Sequence, residues 1–98
     1  MAFKINYSEE AHLDIRDGIN YYKFHGSSQI AKKFYQEVLN SAKILRENPY
    51  FEILDGGYRK LPLKKFPFII LFIIKGEQIL ILRIFHTSQN PEKYPPKK

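Results

Sequence analysis

The chain contains no cysteine, which excludes both a disulfide framework and a thiolate metal site. Its three histidines, His12, His25 and His86, fall at no HxH or HxxxH spacing. That argues against zinc, and neither a metal nor a cofactor is expected. The longest apolar run, Phe66 to Ile74, has nine residues and contains Pro67. Roughly twenty are needed to span a bilayer, so no membrane partner is expected. The opening Met-Ala-Phe-Lys-Ile-Asn-Tyr lacks the apolar core of a signal peptide, and Glu9, Glu10 and Asp14 follow closely, so the expected compartment is the cytoplasm. No phosphate-binding glycine loop, paired-carboxylate site or Ser/His/Asp arrangement is evident. Internal repeats, low-complexity tracts and domain boundaries are absent too, and residues 1–98 read as one domain.

Within 98 residues, 44% are apolar, including eight Phe and seven Tyr, which is incompatible with a disordered chain. A domain of this size buries roughly 65% of its unfolded surface, enough for one core between two layers. Charge is unevenly divided. From Gly57 to Lys98 there are nine basic and two acidic side chains, a net of +7, whereas residues 1–56 carry seven basic and eight acidic, a net of −1. The +6 of the protein therefore belongs to its second half, and such a field attracts an anionic partner to one surface.

Phe3, Ile5 and Tyr7 alternate with Lys4 and Asn6, the signature of a short half-buried strand. Ser8 is a helix N-cap, with Glu9 and Glu10 in the first turn, where the helix dipole favours negative charge. Ala11, Ile15, Ile19 and Tyr22 then recur at helical spacing to about Phe24, and Gly26 breaks the helix. Ser27 or Ser28 caps a second helix with the stripe Ala31, Phe34, Tyr35, Val38, Ala42 and Leu45, which Pro49 stops. The short joining loop requires a helical hairpin. After the turn signal Asp55-Gly56-Gly57 the pattern changes to strands. Tyr58–Leu63 carries Pro62 and reads as an edge strand. Phe66–Ile74, apolar on both faces, reads as a central strand. Lys75-Gly76-Glu77-Gln78 turns it into a hairpin with Ile79–Phe85. From about 86 to 98 the chain reads as an irregular proline-rich tail. The expected fold is α+β, in the order β-α-α-β-β-β: a small, mainly antiparallel four-stranded sheet with the N-terminal helical hairpin packed on one face.

Arg83 interrupts the last apolar strand. Strict alternation puts it with Ile79, Ile81 and Phe85 on one face, and Leu80, Leu82, Ile84 and His86 on the other. The second set is apolar up to its end and is expected to pack on the helices, leaving Arg83 on the opposite face with no core contact. An Arg there either meets something anionic or snorkels to solvent or a carboxylate. Arg59, Lys60, Lys64 and Lys65 flank the neighbouring strand, where charge also protects a sheet edge. Arg59 shares a face with Leu61 and Leu63, and Lys60 lies opposite; whether Arg59 joins Arg83 depends on register. His86 is a candidate general acid or base, or a hydrogen-bonded strand-end residue. Tyr94 is placed to stack on a base or to anchor the tail.

Two segments carry a resemblance. Arg59-Lys60-Leu61-Pro62-Leu63-Lys64-Lys65-Phe66-Pro67-Phe68, followed after a hairpin by Leu82-Arg83-Ile84-Phe85-His86-Thr87-Ser88-Gln89-Asn90-Pro91, resembles the RelE/ParE toxin superfamily. The likeness covers nearly the whole chain in length, element order and basic charge. It implies the toxin of a type II toxin–antitoxin system, encoded beside an acidic antitoxin that wraps it, in a toxin–antitoxin hetero-oligomer. RelE-like members are endoribonucleases that cut messenger RNA on the ribosome; in this chain Arg59, Arg83 and His86 would be the catalytic set. ParE-like members are not enzymes and inhibit DNA gyrase bound to DNA; here Lys60, Lys64, Lys65 and Tyr94 would meet the target. The central strand lacks the cation expected of a ribonuclease, since Phe66 to Ile74 contains no Arg, Lys or polar side chain. Losing one donor at the developing charge commonly costs roughly 3 kcal/mol in barrier, which favours the ParE-like branch. A basic nucleic-acid adaptor without toxicity is the third reading.

Overall fold

The structure, a computed structural model, describes residues 3–51, 53 and 55–87. Its elements are β1 (Lys4–Tyr7), α1 (Glu9–His25), α2 (Ser28–Glu47), a single 3-10 turn at Asp55–Gly57, β2 (Arg59–Pro62), β3 (Phe68–Lys75) and β4 (Gln78–His86). The expected β-α-α-β-β-β order is the observed one. The four strands form one sheet in the order β1-β4-β3-β2. β2–β3 and β3–β4 are antiparallel, and β1 runs parallel to β4.

Local chemistry sets the boundaries. Ser8 Oγ accepts the Ala11 N–H at 2.9 Å and Ser27 Oγ accepts the Ile30 N–H at 3.2 Å, so each helix begins on a serine cap. Gly56 and Gly57, at φ 86° and 83°, take the left-handed conformation that the turn before β2 requires. Gly76, at φ 58°, occupies the first position of the two-residue β3–β4 hairpin. Pro62 closes β2 at the sheet edge, where its missing N–H costs nothing. β4 continues to His86, one residue beyond the expected end, whereas residues 88–98, including Tyr94, lie outside the described residues.

The helices cover one face of the sheet. Ala11, Ile15, Phe34, Val38 and Leu45 meet Phe68, Ile70, Phe72, Ile79, Ile81 and Ile84 in a single core. Tyr22, Phe34, Phe66 and Phe68 form an aromatic cluster there, with Phe34 and Phe68 centroids 4.7 Å apart. Tyr35, expected in the buried stripe of α2, is exposed instead, and Ser41 takes a buried place on that helix. Among the described residues no helix is long and apolar enough to cross a membrane.

Strict alternation fails on β4. Leu71 pairs with Arg83 but the next residue, Phe72, pairs with Ile81, so Leu82 is an extra residue in a β-bulge. The bulge reverses the parity of the strand. Ile79 and Ile81 therefore face the helices together with Ile84 and His86, and do not share the face of Arg83 and Phe85. The cause lies at the edge. β1 covers β4 only as far as Ile81, and α1 takes over from there. Ser8 Oγ donates to the Leu82 carbonyl at 2.7 Å, and Asp14 Oδ2 accepts the Ile84 N–H at 2.8 Å. Two side chains thus stand in for the missing strand.

Candidate functional site

Register assigns each candidate to a face. Lys60, Leu71 and Arg83 form one cross-strand row on the side away from the helices. Ile69 with Phe85, and Ile73 with Leu80, lie on the same side. Next to the β3–β4 hairpin the row Lys4, Gln78 and Lys75 adds two exposed lysines. This face is apolar in its middle and cationic around it. Leu71 and Phe85 are 0% and 1% exposed, while Ile69, Ile73 and Leu80 are half-buried.

Arg83 occupies the expected face, but its guanidinium makes a contact that alternation did not reveal. Nε donates to Asp14 Oδ2 at 2.8 Å and an Nη donates to Oδ1 at 3.0 Å, a bidentate pair across the edge of β4. The Asp14 side chain is only 14% exposed. The hydrogen bond to Asp14 raises the Arg83 pKa above its ordinary value, against the lowering effect of burial, so the guanidinium stays charged. It also lies 4.8 Å from the centroid of the Phe85 ring. Of the readings open for Arg83, that of an Arg reaching a carboxylate is the one observed, and the pair clamps β4 to α1.

Arg59 is placed elsewhere. It pairs with Phe72, so it lies on the helix side of the sheet, while Arg83 lies on the other. Its Nη1 donates to the Phe51 carbonyl at 2.8 Å, and its guanidinium carbon is 5.6 Å from the centroid of Tyr50. Arg59 thereby fastens the chain between α2 and β2. His86 is on the helix side, opposite Phe68 and edge-on to its ring at 5.1 Å. It lines a cavity of about 340 Å³ with Asp14, Asp17, Gly18, Tyr21 and Ile84. Along β3, Arg59 at Phe72 and His86 at Phe68 are four residues apart, roughly 13 Å. The three candidates for phosphate chemistry therefore do not converge on one point.

Lys64 and Lys65 are exposed on the loop between β2 and β3. Sequence reasoning missed what holds that loop: Glu37 on α2, whose Oε2 accepts the N–H of Lys64 at 2.7 Å and of Lys65 at 3.3 Å. It missed Asp14 as well. A signal existed for both. Asp14 sits within the buried series Ala11, Ile15, Gly18, and Glu37 within Phe34, Val38, Ser41. A carboxylate inside a buried helical stripe needs a partner. No group of three or more His, Asp or Glu side chains able to hold a metal ion occurs among the described residues.

Comparison with known proteins bears on this arrangement. A family model described as the ParE toxin of the type II toxin–antitoxin system parDE matches residues 5–91. A solved chain from a chromosomal ParDE TA system of P. aeruginosa superposes with a TM-score of 0.77 at 24% identity, covering 89% of this chain and 98% of that one. That likeness shows the shared fold. No curated protein matches the sequence. With the family match spanning most of its length, the chain belongs to the ParE toxin family of type II toxin–antitoxin systems.

Proposed function

We propose that this toxin arrests growth by binding DNA gyrase engaged with DNA and that it acts by binding, without cutting RNA. The observation that carries this choice is the dispersal of the ribonuclease candidates. Arg59 is spent on Phe51, Arg83 is paired with Asp14 on the other face, and His86 is far from Arg59 along β3. Phosphoryl chemistry needs donors preorganised around one developing charge. The stretch of β3 from Phe68 to Ile74 supplies none. Target contact falls instead to the basic groups Lys60, Lys64 and Lys65, with Tyr94 of the segment outside the described residues.

The test uses one preparation in two assays. Purified protein is expected to block gyrase supercoiling and to leave messenger RNA intact in a translating extract. Cleavage in the ribosomal A site, lost on His86→Ala and accompanied by normal supercoiling, reverses the choice of branch. His86 would then be the proton-transfer candidate, with Arg59 and Arg83 for the phosphate.

The cognate antitoxin follows from the same surface. A partner for a cationic rim around Ile69, Ile73 and Leu80 carries Asp and Glu together with apolar side chains that reach the sheet. At 1 M salt the Debye length is about 3 Å, so rim charges contribute little and apolar contacts must hold the complex. The toxin–antitoxin complex is expected to survive gel filtration in 1 M NaCl. Complete dissociation there would mean that charge alone joins the two.

A further inference from the structure

Glu37 does something that none of the surface cations can do for themselves. Two successive backbone N–H groups, those of Lys64 and Lys65, point at its one oxygen Oε2. Such a pair makes a small anion-binding concavity, and here a carboxylate from α2 fills it. The next residue, Phe66, packs edge-on against Tyr22 at 5.2 Å and Phe34 at 5.5 Å. The β2–β3 loop is thus pinned at three consecutive positions while the side chains of Lys64 and Lys65 remain exposed. Beside it lies a groove of about 370 Å³ whose lining includes Lys33, Gln36, Asn40 and Lys65. The Gln36 amide donates to Asn40 Oδ1 at 3.1 Å, which leaves the Asn40 amide nitrogen as a neutral donor.

We propose that Lys33, Lys64 and Lys65 form a contact site for the phosphodiester backbone of duplex DNA, and that Glu37 is its positioning residue. The proposal rests on the reading that the toxin meets gyrase together with DNA, and it names the part that meets the DNA. Two ammonium groups from two elements, Lys33 and Lys65, line one groove, with exposed Lys64 next to Lys65 in the chain, and an ammonium is a point charge that suits phosphate without demanding a fixed orientation. Lysines on a loose loop would lose binding energy to ordering; a loop already fixed by Glu37 does not. The arrangement costs one negative charge in a basic patch, which only makes sense if position outweighs charge there.

That trade gives a test that separates position from charge. Glu37→Gln and Glu37→Ala have the same charge, one unit above the +6 of the natural chain, but only Gln retains an acceptor for the two N–H groups. Binding of a fluorescent 20-base-pair duplex to the full chain is measured by anisotropy across a salt series. Glu37→Gln is expected to bind more tightly than the natural chain, and Glu37→Ala about fivefold more weakly than Glu37→Gln because the freed loop must be ordered on binding. Amide exchange at Lys64 and Lys65 is expected to be fastest in Glu37→Ala and intermediate in Glu37→Gln. Replacing Lys64 and Lys65 together by Ala should lower the salt slope by about 2. Equal affinity of the two Glu37 variants, unchanged exchange at both amides, or an unchanged salt slope overturns the proposal. A glutamate-rich peptide that binds the natural chain as tightly as the duplex, with the same losses, overturns it in favour of an acidic polypeptide. If the natural chain fails to block supercoiling but the duplex pattern holds, the gyrase reading falls and the site stands.

Discussion

Gly18→Ala is expected to destabilise the protein by about 2 kcal/mol, although the same change in an ordinary helix interior stabilises by about 1 kcal/mol. The reason is the approach of α2. A Cβ at Gly18 would sit 2.6 Å from both Cε2 and Cζ of Phe34. That ring has no room to retreat, because it is fully buried and held by Tyr22, Phe66 and Phe68. Overpacking forces a shift of the helix or an off-rotamer phenylalanine. For a domain of this size the midpoint of thermal unfolding should fall by roughly 10 °C. Asn20→Ala, on the exposed side of the same helix, is the control and should change stability by less than about 0.5 kcal/mol. Phe34→Leu shortens the ring away from position 18. Its cost should therefore be smaller in the Gly18→Ala background than in the natural one, a non-additivity expected of residues in contact. A stabilising Gly18→Ala, measured by denaturant titration, would mean that the two helices do not approach each other this closely.

The elements were legible because each rests on a local signal. Serine caps, helical spacing and Gly-rich turns placed α1, α2 and both hairpin strands within a residue or two, and Pro62 marked the edge strand. The parallel pairing of β1 with β4 was not legible, since no local residue encodes a partner more than seventy positions away. Nor was the face of half of β4. A period of two is a property of an uninterrupted strand, and a single extra residue at Leu82 shifts every position on one side of it. The cause of that shift, Ser8 and Asp14 bonding to the edge of β4, is long-range chemistry. The site suffered accordingly. Arg59 and Arg83, joined in the sequence reading by their chemistry, are separated by register, whereas Lys60 and Arg83 share a row. The carboxylates that position the cations, Asp14 and Glu37, were visible as acids in buried stripes, and their partners were not.

Asp14→Ala is expected to cost about 3 kcal/mol, more than Arg83→Ala, and the difference separates the two roles of Arg83. Asp14 satisfies both Arg83 and the Ile84 N–H, and its removal leaves a partly buried guanidinium and an edge amide without their acceptor. Removing Arg83 leaves the carboxylate with the Ile84 N–H still bound, so about 2 kcal/mol is expected there. The double variant should be less destabilised than the two single changes added together, because the pair is lost only once. Either loss is a large fraction of the 5–15 kcal/mol that holds a domain of this kind together. Growth inhibition by Arg83→Ala must accordingly be compared at equal folded concentration. Asp14→Asn supplies the comparison: its amide oxygen can still accept from Ile84, while the guanidinium loses its charged partner and becomes available to an anionic target. If Arg83 touches the target, Asp14→Asn should keep or raise toxicity per folded molecule while Arg83→Ala abolishes it. If Arg83 serves only to clamp β4 to α1, both variants should keep the toxicity of the natural chain per folded molecule and lose total toxicity only in proportion to their loss of stability. Urea unfolding with a growth assay at matched folded protein distinguishes these outcomes, and unchanged toxicity per folded molecule in both would remove Arg83 from the target-binding surface.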